Sequence, residues 1–146
     1  MPQIVFVNLP VRDLAASRAF WGALGFRFNE HLSGDRAACL VLGESVFVML
    51  LTETYFAEFT RKEVADASAV TEAVFALSSG SRERVDELAD AAMTAGGFPA
   101  GPPRDYGPMY SRSFQDPDHH QWEVLWMDPA AAGEDTGGGQ AGERTG

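Results

Sequence analysis

Phe114 to Asp128, written FQDPDHHQWEVLWMD, sets a turn directly against an apolar run that holds one carboxylate between two tryptophans. Pro117 fixes φ at the second position of the turn Asp116-Pro117-Asp118-His119, and its Asp side chains can accept from nearby N–H groups. The WEVLWM that follows reads as a strand. Alternate residues of a strand share a face, so Glu123, Leu125 and Met127 point one way and Trp122, Val124 and Trp126 the other. A carboxylate in so apolar a strand must be wet, paired or bound to something. Glu123 is therefore the residue that says most about function, and the tryptophan face is the one expected to pack a helix or a partner.

The rest of the chain repeats a pattern. Ile4 to Leu9 is a short β-rich run closed by Pro10. Asp13 opens a helical stretch with Leu14, Ala15, Phe20, Trp21 and Leu24 as its apolar stripe and Ser17 and Arg18 toward water, and Gly25 stops it in a left-handed C-terminal role. Strands are expected around Phe26 and Phe28, at Ala37 to Leu42 and at Val46 to Thr52, the last two joined by Gly43-Glu44-Ser45. Whether Phe47 and Met49 or Val46 and Val48 look inward is left open by the sequence. After a connector at 53–69, where Thr60-Arg61-Lys62-Glu63 has capping-box spacing, Glu72 to Leu77 reads as a strand. Ser81 caps a helix bearing Val85, Leu88, Ala92 and Met93, and Gly96-Gly97 ends it. Segments 101–110 and 112–128 supply the later strands.

These elements make an α+β chain of two strand-helix-three-strand modules, about 4–52 and 70–128, in one domain spanning 1–128. Neither module alone has core enough to be stable, so they are expected to stack with pseudo-two-fold symmetry. The tail 129–146 has no apolar residue larger than alanine and is expected to be disordered.

Eleven Lys and Arg against twenty-one Asp and Glu give a formal charge of -10 over 146 residues. That balance argues against a nucleic-acid partner and favours cationic ligands. The longest apolar runs fall short of a membrane span, so no membrane partner is expected. A single cysteine, Cys39, excludes an internal disulfide and suits the cytoplasm. In its apolar run AACLVL it reads as an inert core thiol. Tyr55, Phe56 and Phe59 cluster in the connector, where they seal a core edge, cover a pocket or meet a partner.

The phrases VNLPVRDLAASRAFWGALGF at 7–26 and QDPDHHQWEV at 115–124 resemble the glyoxalase, bleomycin-resistance and extradiol-dioxygenase superfamily, the vicinal oxygen chelate fold. The likeness covers essentially all of 4–128. It implies two βαβββ modules forming a cupped mixed sheet with a small-molecule pocket in the hollow, and commonly a homodimer. In the metalloenzymes of that superfamily a divalent ion is held by side chains from the first and last strands of the modules. The last of these ligands, the glutamate of D-P-D-G-x-x-x-E, falls on Glu123. The others fall on Phe6, on Glu72, and near Met49 or Leu50. Phe6 and Leu50 offer no donor, whereas a stable site wants three or four ligands. No metal ligand is assigned with any firmness; Glu123 and Glu72 are the only inherited candidates, for a weakly held divalent ion at best. His119 stands where that motif has glycine, and it and His31 read as turn histidines.

If Glu123 faces the hollow, Leu125 and Met127 do too, with Phe6 and Asn8 on the first strand, Met49 on the fourth, and Val74 beside Glu72 at the start of module two. Tyr106, Tyr110 and Arg112 are placed at its rim. Two functions follow. One is a small-molecule-binding protein of the bleomycin-resistance type, which takes a small organic molecule, a hydrophobic cation suiting its charge, and needs no metal of its own. The other is a glyoxalase-like lyase or isomerase with Glu123 as base, Glu72 as its partner and Arg112 as the stabiliser of developing negative charge.

Overall fold

A computed structural model describes residues 3–131. The elements run β1 (Val5–Val11), α1 (Leu14–Ala23), β2 (Arg27–Asn29), β3 (Ala37–Val41), β4 (Val46–Thr52), α2 (Glu53–Ala57), β5 (Val74–Ser78), α3 (Arg82–Thr94), β6 (Phe98–Pro99), β7 (Arg104–Asp105), β8 (Met109–Gln115) and β9 (Gln121–Met127). They form two sheets, ordered β1-β4-β3-β2 and β5-β9-β8-β6, with β7 paired to β8. In each sheet the first strand lies parallel to the last strand of its own module, β1 to β4 and β5 to β9, and the remaining pairs are antiparallel.

Local chemistry sets the helix ends. The Asp13 carboxylate accepts from the Ala16 amide at 3.0 Å, and the Ser81 hydroxyl accepts from the Arg84 amide at 3.0 Å. Gly25, at φ +96°, and Gly96, at φ +110°, take the left-handed positions beyond α1 and α3. Gly97 is needed for closeness instead: a Cβ there would lie 2.6 Å from the Gln115 carbonyl oxygen and 3.2 Å from the Phe20 ring. α3 therefore ends tight against β8 and the first module.

One hydrophobic core serves both modules. Leu9, Val11, Leu40, Val48 and Leu50 from the first sheet meet Phe114, Trp122 and Val124 from the second across Phe20 and Trp21 of α1, Leu24 just beyond it, and Val85, Leu88 and Ala92 of α3. Trp21 is wholly buried, with its ring centroid 4.6 Å from that of Trp122 and 6.2 Å from that of Phe114. α1 is thus packed between the two sheets, and each sheet turns its other face away from this shared layer.

Three local expectations need correcting. Ser17 is buried rather than facing water, and its hydroxyl donates to Asp118 at 3.3 Å. No helix follows Thr60: its hydroxyl accepts from the Lys62 amide, and it is Thr52 that caps α2 by accepting from Tyr55. The first strand of module two begins at Val74, which leaves Glu72 outside it. Of the tail expected at 129–146, residues 129–131 are helical and the remainder lies outside the described residues.

Candidate functional site

The pleat assigns each candidate to a face. In the first sheet Phe6 pairs with Phe47, Asn8 with Met49, and Met49 with Cys39, so these residues share the outer face, while Val48 and Leu50 belong to the core. The choice left open by the sequence is settled: Phe47 and Met49 look outward from the core. Phe6 is 47% exposed and stacks on Phe47 with centroids 5.4 Å apart. Cys39 lies wholly buried in the same sheet, and burial pushes its thiol pKa up, away from reactivity.

In the second sheet Val74, Glu123, Leu125 and Met127 share the outer face with Ala76, Ser78, Ser111 and Ser113, while Phe75, Trp122 and Val124 pack the core. Glu123 is half-buried, flanked by Ala76 and Ser113 in register, and accepts from the Ser111 hydroxyl at 3.4 Å. A lone carboxylate among small and hydroxyl-bearing neighbours can accept hydrogen bonds or pair with a cation.

The structure does not bring all the expected partners to Glu123. Ala76 is its register partner on β5, whereas Glu72 precedes that strand in a bend and is exposed. Tyr110 and Arg112 alternate with Ser111 and so sit on the helix face. There the Asp86 carboxylate accepts from the Tyr110 hydroxyl at 2.6 Å and from Arg112 at 2.8 Å, and Asp90 accepts from Arg112 at 3.0 Å. Those hydrogen bonds hold the Asp86 carboxyl below its usual range, Tyr110 first and Arg112 second. Arg112 is therefore neither a rim residue nor a stabiliser of charge near Glu123. Tyr106 is exposed in the turn between β7 and β8. Within one chain, Phe6, Asn8 and Met49 lie on one sheet's outer face, and Val74, Glu123, Leu125 and Met127 on the other's.

The turn before β9 holds residues that sequence reasoning missed. Asp116 is 2% exposed, and its carboxylate accepts from the amides of Asp118 and His120 and from the Trp122 indole N–H. Burial pushes its pKa up, against the pull of His120 and of these donors. Asp118 accepts from the Arg12 amide and His120 Nε2 donates to the Pro10 carbonyl at 2.7 Å, which ties the turn to the end of β1. His119 holds the left-handed position at φ +70°, as its place in the motif implied, and stacks on Phe98 with centroids 4.4 Å apart. The Asx-turn potential of Asp116 was legible; the long-range partners of Asp118 and His120 were not.

A crevice runs beneath residues 60–73, where a chamber of about 340 Å³ is lined by Asn8, Phe56, Val64, Val70, Glu72 and Phe75 among others. His119 and His120 also line it.

Residues 3–43 match the family model described as bleomycin resistance protein-like N-terminal. Hypothetical protein SA1046 from S. aureus is 27% identical, with a TM-score of 0.74 over 86% of this chain and 94% of that one. A glyoxalase/bleomycin resistance protein/dioxygenase family enzyme from Burkholderia phytofirmans PsJN is 18% identical at TM-score 0.70, covering 86% of this chain and 99% of its own. A glyoxalase-related enzyme from Fulvimarina pelagi is also 18% identical, at TM-score 0.73 over 86% of this chain and 88% of that one. The chain has the fold of the glyoxalase/bleomycin resistance/dioxygenase proteins, and its first module is similar to the bleomycin resistance protein-like family. No curated protein matches its sequence.

At the positions that the sequence resemblance implies for metal ligands, Phe6 and Met49 or Leu50 offer no hard donor, and Glu72 stands outside β5. Among the described residues no three His, Cys, Asp or Glu side chains stand close enough together to hold one ion. Nor, among those residues, is any helix long and apolar enough to cross a membrane.

Proposed function

We propose that this chain is a small-molecule-binding protein of the glyoxalase/bleomycin-resistance type, acting as a homodimer in which the outer face of one chain's first sheet closes over the outer face of its partner's second. The observation that carries this is the exposed Phe6–Phe47 stack, which fills a metal-ligand position with an aromatic platform. Val74 and Met127, 53% and 43% exposed, give the other face an apolar surface around Glu123. Two such surfaces brought together by a two-fold axis make two equivalent hollows, each apolar with a carboxylate and Asn8 as its polar groups. That lining suits a small organic molecule, a cation above all. The free, buried Cys39 suits a reducing compartment such as the cytoplasm.

Catalysis by Glu123 as a general base gains no support from its surroundings, because Glu72 lies outside β5 and Arg112 is committed to Asp86 and Asp90.

Two measurements test the proposal. Light scattering should give twice the 15.8 kDa chain mass, and Val74→Asp should shift it to the monomer. In a 15N NMR screen of small aromatic compounds, saturable shifts should gather at Phe6, Asn8, Met49, Val74 and Glu123. A monomer at all concentrations, or shifts confined to other surfaces, would refute it.

A further inference from the structure

The crevice beneath residues 60–73 is built within one chain, shares only Asn8 with the outer-face residues named above, and is not uniform along its length. Its chamber has apolar walls in Phe56, Val64, Val70 and Phe75. Next to it lies a second hollow of about 380 Å³, here called the mouth, which shares Pro10, Val64, Ala65, Ala67, His119 and His120 with the chamber and adds Arg12, Glu53, Asp66 and Asp118. Chamber and mouth together carry two cations, Arg12 and Lys62, against five carboxylates, Glu53, Glu63, Asp66, Glu72 and Asp118.

Pairing within the two leaves Lys62 against four carboxylates. Arg12 is already taken up by Asp118, at 3.4 Å from Nε, and by the Pro117 carbonyl at 3.2 Å. Asp66 uses Oδ1 to accept from the Ser68 amide and hydroxyl at 3.0 and 2.6 Å, which keeps the carboxylate ionised and its Oδ2 facing no donor among the described residues. A carbonyl only accepts, so His120 donates from Nε2 to Pro10, and His119 donates from Nδ1 to the side-chain Oε1 of Gln115 at 2.9 Å. An apolar chamber beside unneutralised carboxylates matches a ligand with an apolar body and a cationic head.

We infer that this crevice binds small organic amines, the hydrocarbon part in the chamber between Phe56 and Phe75 and the ammonium at the mouth beside Glu53 and Asp66. The site goes beyond the outer-face reading, since all its walls belong to one chain and it needs no dimer.

Titration calorimetry of the full chain in low salt, with 2-phenylethylamine and its near-isosteric carboxylate 3-phenylpropanoate as probes, tests this. The amine is expected to bind once per chain and at least tenfold more tightly than the carboxylate. Glu53→Gln with Asp66→Asn should weaken the amine at least fivefold. Val64→Trp, at a position 37% exposed where a larger side chain need not disturb the core, should fill the chamber and abolish binding, with an unchanged circular dichroism spectrum. Equal affinity for the two probes, no saturable heat, or full binding by the Val64→Trp variant would overturn the assignment. So would a loss of amine affinity on Glu123→Gln with none on Glu53→Gln/Asp66→Asn, which would put the amine on the outer face.

Discussion

Trp21 of α1 and Trp122 of β9 meet edge to face with ring centroids 4.6 Å apart, and neither has exposed surface. One residue belongs to the first module and the other to the second, so this contact sits where the two half-cores become one. It is also why the sheets turn their other faces outward, and why Phe6 and Glu123 are available to a ligand.

Truncation at that junction should be costly. Trp21→Ala is expected to lower the unfolding free energy by about 3–5 kcal/mol, the usual range for removing a buried aromatic. Urea denaturation checks this; a loss under about 1 kcal/mol would mean that the modules do not depend on the contact.

Asp116 should matter through its acceptors. Asp116→Ala leaves the amides of Asp118 and His120 and the Trp122 indole N–H without their partner, and should cost roughly 2–4 kcal/mol. Its pH dependence has a definite sign. Burial raises the folded-state pKa above the unfolded value near ~3.9, so the folded chain holds this proton more tightly, and stability from this group falls as pH rises from about 4 through the raised value. Asp116→Asn should remove that slope from denaturation curves recorded across this window.

Asp105 titrates the other way. The Arg82 guanidinium, followed by the Gly107 amide, holds its carboxyl down to about 2. The folded value is depressed, so the stabilisation is present above the unfolded pKa near ~3.9 and is lost as pH falls from there toward 2. Carboxyl NMR should find the midpoint near 2 in the parent chain and return it toward ~3.9 in Arg82→Gln.

How far the sequence could be read follows from the range over which each feature is encoded. The Asp13 cap, the Gly25 stop, the full extent of β4 and the opposite facing of Glu123 and Trp122 are local, set by a few adjacent residues, and all are as read. The faces of Tyr110 and Arg112 depend on the register of β8 against β9, which a 2-residue period within one strand cannot supply. Glu72 was misplaced because the start of β5 is marked only by the pairing of Val74 with Gln121, a contact between distant parts of the chain. Ser17 looked solvated because its partner, Asp118, is 101 residues away.

Arg112 gives a direct check on its corrected role. Arg112→Gln should lower stability by about 1 kcal/mol through loss of the bonds to Asp86 and Asp90, and should leave ligand affinity within twofold. An affinity loss above tenfold at unchanged stability would restore it to the site.

The most direct test of the account is the metal dependence of binding at Phe6. The tightest compound from the NMR screen would be titrated into the parent chain and into Phe6→Ala, first with EDTA and then with added Mn²⁺ or Zn²⁺. The account predicts the same affinity in the parent chain under both conditions and at least a tenfold loss in the variant. Binding that appears only when a divalent ion is supplied, or that is untouched by removing the Phe6 ring, would contradict it.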